Sequence, residues 1–221
     1  MTLPVNEIFE TIQGEAAWTG TPAVFLRLQG CDVGCWWCDT KHTWAVDPRL
    51  AVSVDAMMAK EGDAPSFAPM TTAEIVDRCR QFQSRHVVIT GGEPCRHDLV
   101  AITRALADDG RMVQIETSGT QPVRVDDRAW VTVSPKIGMP GGFTVRQDAM
   151  RRADEIKYPV GKPADVDELR SLLANGWHHP ATDIWLQPLS QSQKATELCQ
   201  SAARHYGFRV SIQVHKFLGV R

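Results

Sequence analysis

His86-Val-Val-Ile-Thr-Gly-Gly-Glu-Pro94 decides how this chain is read: a short β-branched run, the mark of a buried strand, passes straight into a glycine turn carrying a carboxylate. The same arrangement recurs along the sequence. Residues 23–28 (Ala-Val-Phe-Leu-Arg-Leu) lead to Gly30-Cys31, residues 112–116 (Met-Val-Gln-Ile-Glu) to Thr117-Ser118-Gly119, and residues 130–133 to Ser134-Pro135-Lys136. The runs at 154–158 and 183–187 close around Lys157 and on Gln187, and a seventh run covers 210–214. Helical patterns at 71–82, 98–109, 165–175 and 191–206 lie between several of them. Thr71 with Glu74 and Ser190 with Gln193 have capping-box spacing, and Gly110, Gly176 and Gly207 stand where helices should stop. Residues 48–70 read as loop around a short helix at 53–60. Alternating strands and helices predict a parallel α/β sheet, and functional groups at strand ends predict one shared face, as in a barrel. The helices are too few for eight repeats. The expected fold is therefore α/β, a partial, reduced TIM-type barrel of about six parallel strands with fewer helices than a full barrel, in one domain over residues 1–221.

A chain of 221 residues is long enough to bury a core without disulfides. Its 24 basic and 26 acidic residues leave a net charge of −2, which speaks against direct nucleic-acid binding. No run approaches ~18 apolar residues, so no membrane span is expected, and the N-terminal sequence has neither a signal nor a transit pattern. A cytoplasmic location is expected.

The six cysteines are unevenly placed. Cys31, Cys35 and Cys38 share one loop after the first apolar strand, whereas Cys79, Cys95 and Cys199 are scattered and read as small packing residues. Three close thiolates select zinc or an iron–sulfur cluster. With His42 as a fourth ligand they would make a structural zinc site and a non-catalytic module. On a four-iron cluster they leave one iron open to an exchangeable ligand.

In its C-x3-C-x2-C loop and in Gly91-Gly92-Glu93-Pro94, the chain resembles the radical S-adenosylmethionine superfamily. Along nearly its whole length it is similar to the compact bacterial 7-carboxy-7-deazaguanine synthase family. That likeness runs through Asn6-Glu-Ile-Phe-Glu-Thr-Ile-Gln-Gly-Glu15, Cys38-Asp-Thr-Lys-His-Thr-Trp44, Val133-Ser-Pro-Lys136, Gln187-Pro188 and His215-Lys216. The resemblance implies a [4Fe–4S] cluster, S-adenosylmethionine and Mg2+ as cofactors. It implies that a deoxyadenosyl radical takes a hydrogen from C6 of 6-carboxy-tetrahydropterin, after which the ring contracts with loss of ammonia. It also implies a homodimer and a one-electron donor such as flavodoxin or ferredoxin. An activating enzyme that makes a glycyl radical on a protein is the rival within the same chemistry.

Site assignments follow by resemblance. Cys31, Cys35 and Cys38 would hold the cluster. Trp37, Cys38, Asp39, Gly92, Glu116, Ser134, Pro135, Lys136 and Gln187 would contact S-adenosylmethionine. Thr40 would offer its hydroxyl to Mg2+, a hard ion that prefers oxygen. Ile12, Gln13, Gly14, Arg27 and Thr90 would meet the pterin, with the Arg27 fork matched to its carboxylate. Glu15 and His215 are weaker candidates for the substrate, and the terminal carboxylate is a candidate cover for it. Cys95 is not expected to ligate, because a fourth thiolate would block the open iron.

Overall fold

The computed structural model describes residues 2–220. Its strands are β1 (Thr2–Gln13), β2 (Thr21–Leu28), β3 (Ala68–Thr71), β4 (His86–Gly91), β5 (Met112–Thr117), β6 (Trp130–Val133), β7 (Glu155–Val160), β8 (Asp183–Pro188) and β9 (Arg209–Val210). They form one sheet in the order β3-β1-β2-β4-β5-β6-β7-β8-β9. From β2 to β9 every pairing is parallel, while β1 runs antiparallel to both β2 and β3. Six full strands and the two-residue β9 thus make an open α/β sheet, mostly parallel and with few helices, the partial barrel the sequence predicts.

The helices are α1 (Val54–Met58), α2 (Thr72–Arg80), α3 (Val100–Asp108), α4 (Gln147–Arg152), α5 (Pro163–Leu173), α6 (Gln193–Tyr206) and α7 (Val214–Leu218). Four of them fall on the predicted patterns. The Thr71–Glu74 capping box forms, with Thr71 Oγ1 accepting from Glu74 N and Glu74 accepting from Thr71 N. At α6 the cap is Ser192 and not Ser190, which instead takes a left-handed turn at φ 54°.

Strand geometry sorts the residues, because successive side chains point to opposite faces. Val24, Leu26, Val87, Ile89, Val113, Ile115, Val131, Val133, Ile156 and Leu186 belong to the core packed by the helices. The intervening positions, including Arg27, Thr90, Glu116, Ser134, Lys157 and Gln187, line a cavity on the other face. Apolar runs with periodic polar interruptions therefore encode a barrel whose outer face is greasy and whose inner face is functional.

Three expectations need correction. The run at 210–214 is a strand only at Arg209–Val210, and its last residue opens α7. Beyond Val210 the chain leaves the sheet edge and crosses to the N-terminal loop, where Val214 N donates to Gly14 O at 2.9 Å. The segment at 48–70 holds a strand, β3, besides its short helix, and β1 was missed because Glu7 and Glu10 break its apolar run. Glu7 is nonetheless buried, paired with Arg27 at 2.6 Å. No helix among the described residues is long and apolar enough to cross a membrane.

Candidate active site

The cavity on the inner face measures about 380 Å³, a size suited to a small molecule. Its wall brings together Cys31, Cys35, Cys38, Trp37, Asp39, Thr40, Gly92, Glu116, Ser134, Lys136 and Gln187 with Ile12, Gln13, Arg27 and Thr90. Glu15 and His215 line it too. Gly14 and Pro135 do not. Gly14 is packed by His215, whose Nδ1 lies 2.2 Å from where a Cβ would stand. Pro135 lines an adjoining cavity that shares Trp37, Pro159 and Leu189 with the first.

The cysteine loop is docked on the end of β4. Gly92 N donates to Leu28 O at 2.9 Å and Glu93 N to Gly30 O at 2.8 Å. A Cβ on Gly92 would stand 2.3 Å from Gly30 O and 3.1 Å from Cys31 Cβ, so this glycine is needed to seat the loop. Glu93 is buried and saturated: it accepts from Cys95 N at 2.9 Å, Thr117 Oγ1 at 2.6 Å and Ser118 N at 2.7 Å. The turn is thereby tied to the end of β5.

Burial pushes the Cys31 thiol up to about 11 and raises Cys35 as well, so metal loading must displace protons there. Trp44 Nε1 donates to Cys38 Sγ at 3.3 Å, a contact the sequence did not signal. Cys95 is buried in the core and lies off the cavity. His42 turns to Asp63, at 3.9 Å, and among the described residues no three His, Cys, Asp or Glu side chains converge on one metal position. That geometry opposes the tetrahedral zinc site. The three thiols line one cavity, where a cluster would take one thiolate on each of three irons. Gln187 Oε1 is a buried acceptor without a partner among the described residues, available to a donor on a bound cofactor.

The floor of the cavity is ionic. Lys157 Nζ donates to Glu15 Oε2 at 2.5 Å and to Glu116 Oε2 at 2.8 Å. Burial opposes the charge on Glu15, but Lys157 and a hydrogen bond from Gln213 outweigh it and hold the carboxyl near 2. Glu116 is pushed up to about 7 by burial, with the charge of Glu15 acting the same way against the pull of Lys157. Burial also lowers Lys136, whose Nζ donates to Ser134 Oγ at 2.5 Å.

An open, mostly parallel α/β sheet with a three-cysteine loop at the end of a barrel strand defines a radical S-adenosylmethionine enzyme, and residues 26–130 match the family model described as the Radical SAM superfamily. Such enzymes use a [4Fe–4S] cluster and S-adenosylmethionine, and the thiolates and polar wall described above fit both. The 7-carboxy-7-deazaguanine synthase of Escherichia coli K12 is 46% identical over the full length of both chains. The synthase of Buchnera aphidicola (subsp. Schizaphis graminum) is 40% identical, again over both full lengths. The solved structure of QueE from Escherichia coli superposes with a TM-score of 0.93 at 46% identity, covering 96% of this chain and 94% of that one. The chain belongs to the 7-carboxy-7-deazaguanine synthase family and is a radical S-adenosylmethionine lyase.

Proposed function

We infer that this chain converts 6-carboxy-5,6,7,8-tetrahydropterin to 7-carboxy-7-deazaguanine and ammonia, making a free base precursor for queuosine. The observation that carries the substrate assignment is the meeting of the cluster cysteines with Arg27, Thr40 and Thr90 in one cavity. When bound, the cluster and S-adenosylmethionine supply the carbon radical that starts the reaction. The protein's own residues bind, orient and exclude water.

Arg27 takes the pterin carboxylate. Its Nε is fixed by Glu7, and it pairs with no second carboxylate among the described residues. Ile12, Gln13 and Thr90 place the ring, while Gly14 acts by admitting His215 against the loop. Trp37, Cys38, Asp39, Gly92, Glu116, Ser134, Lys136 and Gln187 would hold S-adenosylmethionine, and Pro135 would meet it from the adjoining cavity that shares Trp37. Thr40 has its hydroxyl 3.6 Å from Cys38 Sγ, while its carbonyl is taken by Thr43. Thr40 lines the cavity, and its hydroxyl would be a ligand for Mg2+, a hard ion that prefers oxygen. The enzyme works as a cytoplasmic homodimer fed by a one-electron donor such as flavodoxin or ferredoxin. Free cysteines throughout the described residues suit a reducing compartment.

The substrate assignment is tested by comparing the pterin with an analogue lacking the 6-carboxyl group. The native enzyme should bind the analogue at least tenfold more weakly, and Arg27→Met should bind the two alike. Equal binding by the native enzyme would refute the role of Arg27.

A further inference from the structure

Lys157 is buried, and its one ammonium serves two carboxylates from distant parts of the chain. Glu15 belongs to the loop after β1, and Glu116 to β5. Each carboxylate is held at its other oxygen by amides: Glu15 Oε1 accepts from Gln213 at 2.7 Å and Gln187 at 3.3 Å, and Glu116 Oε1 from Gln114 at 3.2 Å. Gln114 also accepts from Gln13, at 3.2 Å. Other charges felt by this array come from Glu155, Lys136 and His215. One ammonium brings a single positive charge to two buried carboxylates, so a shift of Lys157 toward one weakens its contact with the other.

We propose that Lys157 is a positioning residue that couples the two ends of the site: cofactor donors engaging Glu116 release Lys157 toward Glu15, which firms the 12–15 loop against the pterin. This rests on the reading above, in which Glu116 faces the cofactor and the N-terminal loop faces the substrate. Lys157 acts through these two carboxylates, whose positions it sets. The coupling is reciprocal, so the pterin tightens the cofactor by the same factor.

The test is equilibrium dialysis of the labelled pterin against anaerobically reconstituted holoenzyme. No reductant is added, so nothing turns over, and S-adenosylmethionine is either absent or saturating. In the native protein the cofactor should tighten pterin binding by about tenfold, within the ordinary range of such couplings. Lys157→Arg should keep that factor to within threefold. Because Lys157→Met alone would strand two buried carboxylates, the decisive variant is Lys157→Met with Glu15→Gln. It preserves net charge and leaves Glu116, the carboxyl that burial already favours as neutral. It should bind S-adenosylmethionine within threefold of the native protein, while its coupling falls below twofold. Native-level coupling in that variant, loss of its own S-adenosylmethionine binding, or a native coupling below twofold overturns the role of Lys157. No pterin binding by native, cofactor-loaded enzyme would instead refute the substrate assignment, and this proposal with it.

Discussion

Replacing Gly92 by alanine tests how the cysteine loop is held. The new Cβ would stand 2.3 Å from Gly30 O and 2.6 Å from Gly30 C, against an ordinary contact of at least 3.4 Å, so something must move by about 1 Å. Strand β4 is anchored on both sides by β2 and β5, whereas residues 30–40 are largely loop, so the loop yields. That shift stretches the Gly92–Leu28 and Glu93–Gly30 hydrogen bonds, each contributing about 1 kcal/mol net. Residual overpacking adds about 1–3 kcal/mol. At roughly 2–4 °C per kcal/mol for a chain of this size, the apoprotein should melt about 10 °C lower. The larger effect is on metal. Cys31 moves with Gly30, and a displacement near 1 Å far exceeds the roughly 0.2 Å tolerance of a metal–ligand bond. Anaerobic reconstitution followed by iron and sulfide analysis, with melting curves, should find a folded but largely cluster-free protein. A Gly92→Ala protein with a full cluster and an unchanged melting temperature would refute this account of the turn.

Cys95→Ala should reconstitute a complete cluster and lose about 1 kcal/mol of stability, as expected for a small buried side chain; a cluster-free product would make it a ligand. Trp44→Phe removes the hydrogen bond to Cys38 Sγ and should make the cluster potential more negative in a redox titration, with an upward shift contradicting the contact. Glu116 binds its proton more tightly in the folded than in the unfolded chain, up to about 7 against 4.5, so its contribution falls as pH rises through that window. Glu116→Gln should flatten this limb, worth on the order of 2–3 kcal/mol, in denaturant titrations of the apoprotein from pH 5 to 8. An unchanged slope would place the proton elsewhere.

Much of this architecture was legible because parallel strands covered by helices must be apolar on their outer face, and their boundaries are marked by the groups they present. Arg27, Thr90, Glu116, Lys157 and Gln187 interrupt or end apolar runs, and all line the cavity. The N-terminal strand was not legible, because its carboxylates are satisfied by partners distant in sequence: Glu7 by Arg27 and Glu10 by Ser84 N at 2.7 Å. Nor was the departure of the chain after Val210, which depends on the backbone of Gly14 across the open edge. Among site residues, three thiols at close spacing name their own chemistry. The environment of Lys157 does not, since it exists only once Glu15 and Glu116 are folded against it. Gly92 was singled out for close approach to a ligand, and the approach that needs it is to the backbone of Gly30. Arg221, in the tail considered as a cover for the substrate, lies outside the described residues.

Turnover tests the proposed reaction directly. Anaerobically reconstituted protein with S-adenosylmethionine, Mg2+, a low-potential reductant and 6-carboxy-tetrahydropterin should yield 7-carboxy-7-deazaguanine and ammonia in equal amounts, measured by mass spectrometry and ammonia assay on the same samples. Unchanged pterin in the presence of an intact cluster that still cleaves S-adenosylmethionine would contradict it.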